Sequence, residues 1–419
     1  MIADQDKRGN YGMLLGHEDE NRWLKILGWI LAFGLFAQLS SKVWMESGSA
    51  RSTQTYIWLL LPALIYFLYS LISRRHLNFS FEYIPWVLFL FWVALSTLWS
   101  TGSEHSHSSL MKRGLYISIY LISILLLMGI SENLLRRALL AGIAVIAIGA
   151  LVSLIYQFKF LEQPLAYRAF RIDRSGIGNF ANYGWPVVAG ILHGAIATWA
   201  LGIALDRRTS NRLALFWLIA FTILTIYVFL TYARGAWFGL IVSCLAVVFI
   251  QNSRRGWLFL TLSLLAVLTA VFLWWDYLVI EATERQLSGR GPIWEFFFLK
   301  IQGHWLFGYG LGTPFNYIWP DEKYISPHAH SLYLQQIYDS GVISLVLMAT
   351  GVISLTLKAW QTRNNPWVRL AFPALIFALI AMLTDVERIF TRPGDYWTVF
   401  WLPVAILLAV PKTYTPKNL

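Results

Sequence analysis

His328 and His330 stand two residues apart in Pro327-His328-Ala329-His330-Ser331-Leu332, where a polar segment runs into a long apolar stretch. With an ordinary pKa of about 6.5, a histidine can take up a proton near neutrality. His330 is the candidate general base, and His328 could titrate in its place. Two histidines at this spacing could also suggest a metal, but no third and fourth ligand follow at suitable spacing, so no metal site is expected. Asp339 lies inside the apolar stretch itself, and an acid within a membrane span is a candidate functional group by default. His105 and His107 with Glu104 read as solvated loop residues, and His193 as a hydrogen-bonded packing residue.

Arginines supply the second kind of chemistry. Arg290 sits in Ser288-Gly289-Arg290-Gly291-Pro292-Ile293-Trp294. Glycines let backbone N–H groups approach an anion, and the guanidinium fork matches phosphate oxygens while staying charged. A side chain snorkelling to lipid headgroups is the alternative. Arg234, in Thr231-Tyr232-Ala233-Arg234-Gly235-Ala236-Trp237, falls between two apolar runs with almost no loop, a costly place unless it meets a cavity or a partner. Arg168, Arg171 and Arg174 recur every three residues ahead of a Gly/Asn turn at 175–182, so on a helix they would line one face, with Asp173 as the nearby acid. Contact with anionic lipid is the alternative there. Three arginine clusters without a matching acidic cluster ask for a ligand with several negative charges. For a protein embedded in a bilayer, a lipid-linked diphosphate is the natural candidate.

The elements that must hold these residues are membrane spans. The chain is 57% hydrophobic and 13% charged, with a mean hydropathy of +0.56. Soluble domains carry about twice that charge, so a soluble globule, a disordered chain, a DNA-binding module and a disulfide scaffold are all excluded. The net charge, 33 − 22 = +11, is read as loop charge that orients helices rather than as a nucleic-acid footprint. The single cysteine, Cys244, rules out an internal disulfide. Twelve apolar runs are long enough to be spans, centred on 23–41, 55–73, 82–99, 111–130, 138–157, 184–205, 212–232, 235–250, 257–275, 331–357, 367–384 and 396–411. Arg74-Arg75, Arg136-Arg137, Arg207-Arg208 with Arg212, Arg254-Arg255 and Lys358 through Arg369 fall in alternate connections. The leader (Arg22, Lys25) and the tail (Lys412, Lys417) fall on the same side, which the positive-inside rule makes cytoplasmic.

The opposite side carries two long connections, about 158–183 and 276–329, rich in Arg, Gly, Pro and aromatics. Long outer loops that break the positive-inside bias are where function is expected. They should cap a single membrane domain covering 1–419. Trp294, Phe297, Phe298 and Ile301 share one helical face, read as an interfacial anchor with its apolar side in lipid.

In this order, these residues resemble the O-antigen ligase family, within the superfamily that includes O-antigen polymerases and bacterial protein O-oligosaccharyltransferases. The resemblance is carried by Ser288-Gly289-Arg290 with Trp294, by Gly308-Tyr309-Gly310-Leu311-Gly312, and by His330-Ser331-Leu332 with Gly341. The Arg234-Gly235-Ala236-Trp237 turn and the 175–182 loop add to it. Ligases are described by His, then Asn, Ser or Gln, nine residues, Gly, two residues, and then Gly, Thr or Tyr. His330, Ser331 and Gly341 fit, and Ser344 departs at the last position.

The resemblance implies an all-α, GT-C-like fold of about 12 transmembrane helices with a periplasmic cap, in the bacterial inner membrane. It also implies an undecaprenyl-diphosphate-linked glycan donor, a sugar hydroxyl of lipid A–core as acceptor, and inverting transfer with no metal or other cofactor. By motif match, Arg234 and Arg290 would hold the diphosphate and His330 would be the catalytic histidine, with Arg171 or Arg174 as a looser third phosphate ligand. His328 and Asp339 are possible secondary residues. Membrane lipids are expected partners and nucleic acid is not. One alternative is a polymerase that joins lipid-linked repeat units. Another is a lipid-linked saccharide flippase or transporter, but transporters place their polar residues near the midplane, whereas these charges gather at the outer mouth.

Overall fold

The computed structural model describes residues 6–73, 79–284, 289–320 and 324–412, with 6–21 as backbone alone. Arg74, Arg75, Ser288 and Lys417 lie outside the described residues, as do the charged side chains of the leader before Arg22. The apolar helices are α1 (Arg22–Trp44), α2 (Gly48–Ile72), α3 (Tyr83–Trp99), α4 (His107–Ile130), α5 (Glu132–Phe160), α6 (Pro186–Leu205), α7 (Asn211–Leu230), α8 (Arg234–Gln251) and α9 (Arg254–Leu273). After α10 (Trp275–Thr283) and α11 (Arg290–Lys300) come α12 (Leu332–Gln361), α13 (Pro366–Ala381) and α14 (Trp397–Ala409). Among the described residues nine helices are long and apolar enough to cross a membrane, while α3, α13 and α14 are shorter apolar helices. Each of the apolar runs falls on one of them, so the chain is an all-α polytopic membrane protein. The cause is plain: in lipid each backbone polar group must find its partner within the segment. Beside the helices stands a small antiparallel hairpin that pairs Tyr317–Ile318 with Ile325–Ser326.

Short polar caps make the tight turns. Ser131 Oγ accepts from the Leu134 N–H, Ser253 Oγ from Gly256, and Asn365 Oδ1 from Trp367, each opening the helix that follows. Contacts between connections define two ends of the bundle. At one end Arg255 donates to the Thr209 carbonyl at 2.7 Å, which joins the turns before α7 and α9. At the other, Ala181 N–H donates to Lys42 O at 2.6 Å, Arg171 to Thr231 O at 2.8 Å and Arg290 to Thr384 O at 2.7 Å. The segments after α1, α5, α7 and α13 therefore converge with the start of α11. Helix α6 is buried on all sides from Ala189 to Leu205 and forms the axis of the bundle. Helix α9 is its opposite, exposing Leu258, Leu262, Leu265 and Phe272 as a lipid-facing span does.

At the converging end a second apolar cluster forms from Ile293, Phe297, Ile301, Phe315, Ala329, Ile337 and Tyr338. This corrects the reading of α11 as an interfacial anchor. Ile293, Phe297 and Ile301, four residues apart, turn the apolar face into protein, and only the flank with Phe298 and Leu299 is exposed.

Helix α12 is broken. Gly341 has φ 73° and ψ 175°, a conformation essentially confined to glycine. A Cβ there would stand 1.9 Å from the Leu306 carbonyl oxygen, and one on Gly308 would stand 2.6 Å from the Tyr338 carbonyl oxygen. The two backbones touch, and each satisfies groups that the break releases. Val342 N–H donates to Trp305 O at 2.8 Å and Tyr309 N–H to Tyr338 O at 2.7 Å. Trp92 Nε1 donates to Ser340 O at 2.8 Å. Ser344 Oγ donates to Gly341 O at 2.7 Å and accepts from Gln336 Nε2 at 3.0 Å. The hydroxyl at 344 thus ties the two half-helices together, which gives the departure from the family pattern a structural role.

Gly341→Ala is expected to lose about 1–3 kcal/mol to backbone strain and a similar amount, about 1–3 kcal/mol, to the clash. The thermal midpoint of the detergent-purified protein reads this loss, and a midpoint equal to the parent's would contradict the interlock.

Candidate functional site

The half-helix before the break positions the histidines. His330 has φ 48°, a left-handed residue set between the 325–329 segment and the helix start at Leu332. The peptide between the two histidines is clamped from both sides: Gln335 Oε1 accepts from the Ala329 N–H at 2.9 Å, and Trp294 Nε1 donates to the Ala329 carbonyl at 3.0 Å. Gln335 is held in turn, donating from Nε2 to Asp339 Oδ1 at 2.9 Å, and Arg388 makes a two-pronged ion pair with Asp339. The chain Arg388–Asp339–Gln335–Ala329 is buried and continuous. It ties Asp339, one helical turn from Gln335, to the peptide between the histidines.

The histidines differ. His328 Nδ1 accepts the His330 backbone N–H at 3.2 Å, which occupies one lone pair. Among the described residues neither ring nitrogen of His330 has a hydrogen-bond partner. Burial, then His328 and Arg290, push the His330 imidazole down to about 3. Burial, then Arg388 and Arg290, push His328 down to about 4. Both rings are neutral at neutral pH, the state a proton acceptor needs; the acceptor nitrogen of His328 is occupied by the His330 N–H, whereas that of His330 is open.

The arginines converge on a carboxylate. Arg290, the first residue of α11, reaches Asp385 through Nη2 and donates from Nε to Thr384 O at 2.7 Å. Arg171 is near enough to Asp385 to favour its ionised form, although burial, the largest effect, pushes that carboxyl up from its usual range. A Cβ on Gly235 would fall 2.5 Å from Asp385 Oδ2, so the N-terminus of α8 lies directly on the carboxylate, where backbone N–H groups favour an anion. Arg234, the residue before it, has Nη1 3.6 Å from Glu281 Oε2 on α10. Arg168 Nε donates to Glu281 Oε1 at 2.5 Å, and the Tyr167 hydroxyl donates to the same oxygen. Burial opposes the charge on Glu281, but the Arg168 and Tyr167 hydrogen bonds outweigh it and hold the carboxyl below its usual range.

Three expectations change. The arginines do have acidic partners: Glu281 and Asp385 come from distant parts of the chain to pair with Arg168 and Arg290, and the neighbouring Asp173 pairs with Arg174. Arg168, Arg171 and Arg174 do not line a helix face. The segment is irregular, with Arg168 at φ 56°, and its Ile172 N–H bonds Leu230 O and its Tyr183 N–H bonds Asp173 O instead of closing helical turns. Arg174 is set apart, its guanidinium taken by Asp173 in two bonds of 2.8 Å and its side chain 49% exposed. Arg290, Arg171 and the Arg234-Gly235 turn are brought together, with the histidines beside Arg290.

Sequence reasoning missed Asp385, Glu281, Gln335 and Arg388. A pair of acids next to connections rich in arginine was the available signal for Asp385 and Glu281. His193 is a packing residue as read, bonded through Nδ1 to Ala189 O at 2.7 Å and stacked on Tyr227. Among the described residues no three His, Cys, Asp or Glu side chains gather as a metal would require.

Residues 218–349 match the family model described as O-Antigen ligase. The matched stretch holds Arg234, Glu281, Arg290, His330, Gln335, Asp339 and the break at Gly341. Over 383 residues, 91% of this chain and 90% of the relative, the chain is 27% identical to an O-antigen ligase of Pseudomonas aeruginosa. The resemblance drawn from the motifs is borne out by both matches.

Removing one partner of a buried ion pair leaves the other charge uncompensated. Asp385→Leu is therefore expected to cost about 3–5 kcal/mol of stability, while the Asp385→Leu/Arg290→Met pair should recover most of it in a thermal melt. A single variant as stable as the parent would mean that the pair does not hold α11 to the bundle.

Proposed function

We propose that this chain, similar along nearly its whole length to O-antigen ligases, transfers a glycan from an undecaprenyl-diphosphate-linked donor to a sugar hydroxyl of lipid A–core. The single observation that carries this reading is a neutral, open-nitrogen histidine standing against a set of arginines at one end of a membrane bundle. Arg290, Arg234 and Arg171 would bind the diphosphate, exchanging part of their contact with Asp385 and Glu281 for phosphate oxygens. Arg174, exposed and paired with Asp173, would act at the rim. The acceptor hydroxyl attacks the anomeric carbon as its proton passes to His330, with His328 and Asp339 in support. The new O–C bond forms as the C–O bond to phosphate breaks, and the electron pair leaves with undecaprenyl diphosphate. Attack opposite the leaving group inverts the anomeric centre. Guanidinium groups fixed in advance stabilise the charge that gathers on the leaving diphosphate more than they stabilise the ground state.

The placement supports the same reading. Arg136-Arg137, Arg207-Arg208, Arg254-Arg255 and the 358–369 stretch lie in or beside the connections that alternate with those of the site. By the positive-inside rule the site then faces the periplasm, the loops at 158–183 and 276–329 cap it, and both termini are cytoplasmic. A single membrane domain suffices, because the cap is packed from its own loops and the half-helix before Gly341.

A strain lacking the gene, complemented with His330→Ala, is expected to make lipopolysaccharide without attached O-antigen while polymer accumulates on the lipid carrier. Near-normal attachment would remove His330 as the base. A core capped by a single repeat unit would instead identify polymerisation as the reaction.

The pH dependence follows from the histidine's surroundings. A general base must be unprotonated, so activity falls as pH drops through its pKa. With His330 lowered to about 3, kcat/KM should be flat from pH 8 to pH 6, where an ordinary histidine with a pKa of about 6.5 would already have lost more than half of its basic form. Donor phosphates offset the Arg290 charge, so the acid limb of kcat should lie above that of kcat/KM. A kcat/KM profile half lost near pH 6.5 would contradict this.

A further inference from the structure

The arginines around Asp385 and Glu281 are matched by acids, but a second basic group near the histidines is matched only in part. Arg113 lies on α4, and Arg388 and Arg392 lie on the segment between α13 and α14. The segment is pressed on α4: Phe390 packs where a Cβ on Gly114 would stand 3.0 Å from its ring. Arg392 Nη2 donates to Ser109 Oγ at 3.0 Å, one helical turn from Arg113. Both Arg388 and Arg392 are thus within electrostatic reach of Arg113. Asp339 and Glu387 are the acids at this place, and Arg388 engages both. Among the described residues neither Arg113 nor Arg392 meets a carboxylate, and Arg113 Nε is buried without a hydrogen-bond partner. Two tyrosines complete the surroundings. Tyr56 and Tyr116 pack edge to face with ring centroids 5.1 Å apart, and Tyr56 senses the charges of both Arg392 and Arg113.

Guanidinium groups that repel one another, Arg113 half-buried and Arg392 exposed, are held together at a cost unless an anion joins them. Arg388 links the two regions, since it acts on His328 as well as on Arg113. The histidines are therefore within electrostatic reach of Arg290 and, through Arg388, adjoin the Arg388–Arg113–Arg392 group. If the donor diphosphate occupies the first, the second is placed to take an anion on the molecule that brings the hydroxyl.

We propose that Arg113 and Arg392, flanked by Tyr56 and Tyr116, bind a phosphate group carried by the acceptor glycolipid, separate from the donor diphosphate. The proposal rests on the reading of His330 and Arg290 given above. Phosphate oxygens fit the guanidinium forks in two-pronged contacts, and the tyrosine rings and hydroxyls suit the sugar that bears the phosphate. An anionic bilayer headgroup offers the same chemistry, and the test separates the two sources.

Full-length protein in nanodiscs of neutral phosphatidylcholine is assayed for glycan transfer with the lipid-linked donor and two acceptors, native lipid A–core and the same material after phosphatase treatment. The parent is expected to show an acceptor KM about tenfold lower for the native form. In Arg113→Gln/Arg392→Gln that preference disappears: the native acceptor KM rises to that of the treated one, while the treated acceptor and the donor KM are unaffected. Arg392→Gln alone, at an exposed position, gives a partial loss of preference and guards against a double variant that does not fold. An unchanged preference, a rise in donor KM, or equal losses on both acceptors would overturn the proposal. So would an effect that appears only when anionic lipid is added to the nanodisc. His330→Ala, assayed alongside by native acceptor binding without turnover, keeps the two readings apart. Lost transfer with retained phosphate-dependent binding is expected. Retained transfer would overturn the base assignment and leave the acceptor site to be judged on its own arm.

Discussion

A helix that breaks at Gly341 and resumes at once is the constraint on which the site depends. The break would leave backbone groups unsatisfied within a membrane bundle, where each such group is expensive. The 305–309 backbone meets that need by touching the broken turn through Gly308 and Gly341, exchanging hydrogen bonds at Tyr338 and Val342. The half-helix it isolates carries Gln335 and Asp339 at a spacing of one turn, and these reach back to the peptide between His328 and His330. A continuous helix would carry the same residues without an anchor for their direction. The spacing from His330 to Gly341 is thus the length of a short lever fixed at both ends.

Buried ion pairs rarely add much net stability, because desolvation offsets most of the attraction. Their value here is positional. Asp385 gathers Arg290, Arg171 and the start of α8 from three separate connections, and Glu281 joins α10 to Arg168 and Arg234. Positive groups that would otherwise repel are held within reach of one another before any substrate arrives. A phosphate ligand, as proposed, would exchange one set of charged partners for another, with little reorganisation of the protein.

Much of the architecture was legible because lipid makes local rules decisive. A run of apolar residues in a bilayer has one stable conformation, so each predicted span falls on a helix, and Arg234 and the histidines sit at helix starts as their sequence context implies. The acids were not legible. Asp385 lies 95 residues from Arg290, and nothing in local pattern assigns it a partner. The same holds for Arg388 and Asp339. The stripe of Arg168, Arg171 and Arg174 misled because spacing of three implies a helix only where the backbone closes its own turns, and here that backbone bonds to α7. The apolar face of α11 was read correctly as a face, but periodicity does not say whether lipid or protein covers it. Phe315 and Tyr338, remote in sequence, decide that.

One electrostatic arrangement can serve both halves of the chemistry. Burial first, and then the charge of Arg290 beside it, weaken the hold of His330 on a proton. That weakness keeps His330 neutral in the resting enzyme, whereas an isolated histidine would be partly protonated near its ordinary pKa. The charge on Arg290 that depresses the imidazole is the one a diphosphate would cover. On the proposed reading, donor binding would strengthen the base at the moment it is needed, and as the C–O bond to phosphate breaks the growing negative charge would lie nearest the same guanidinium. Lysine could supply the charge but not the fixed fork that lets one side chain hold Thr384, Asp385 and an incoming oxygen in a single plane. On the proposed reading, a requirement for arginine at 290 would follow from geometry as much as from charge.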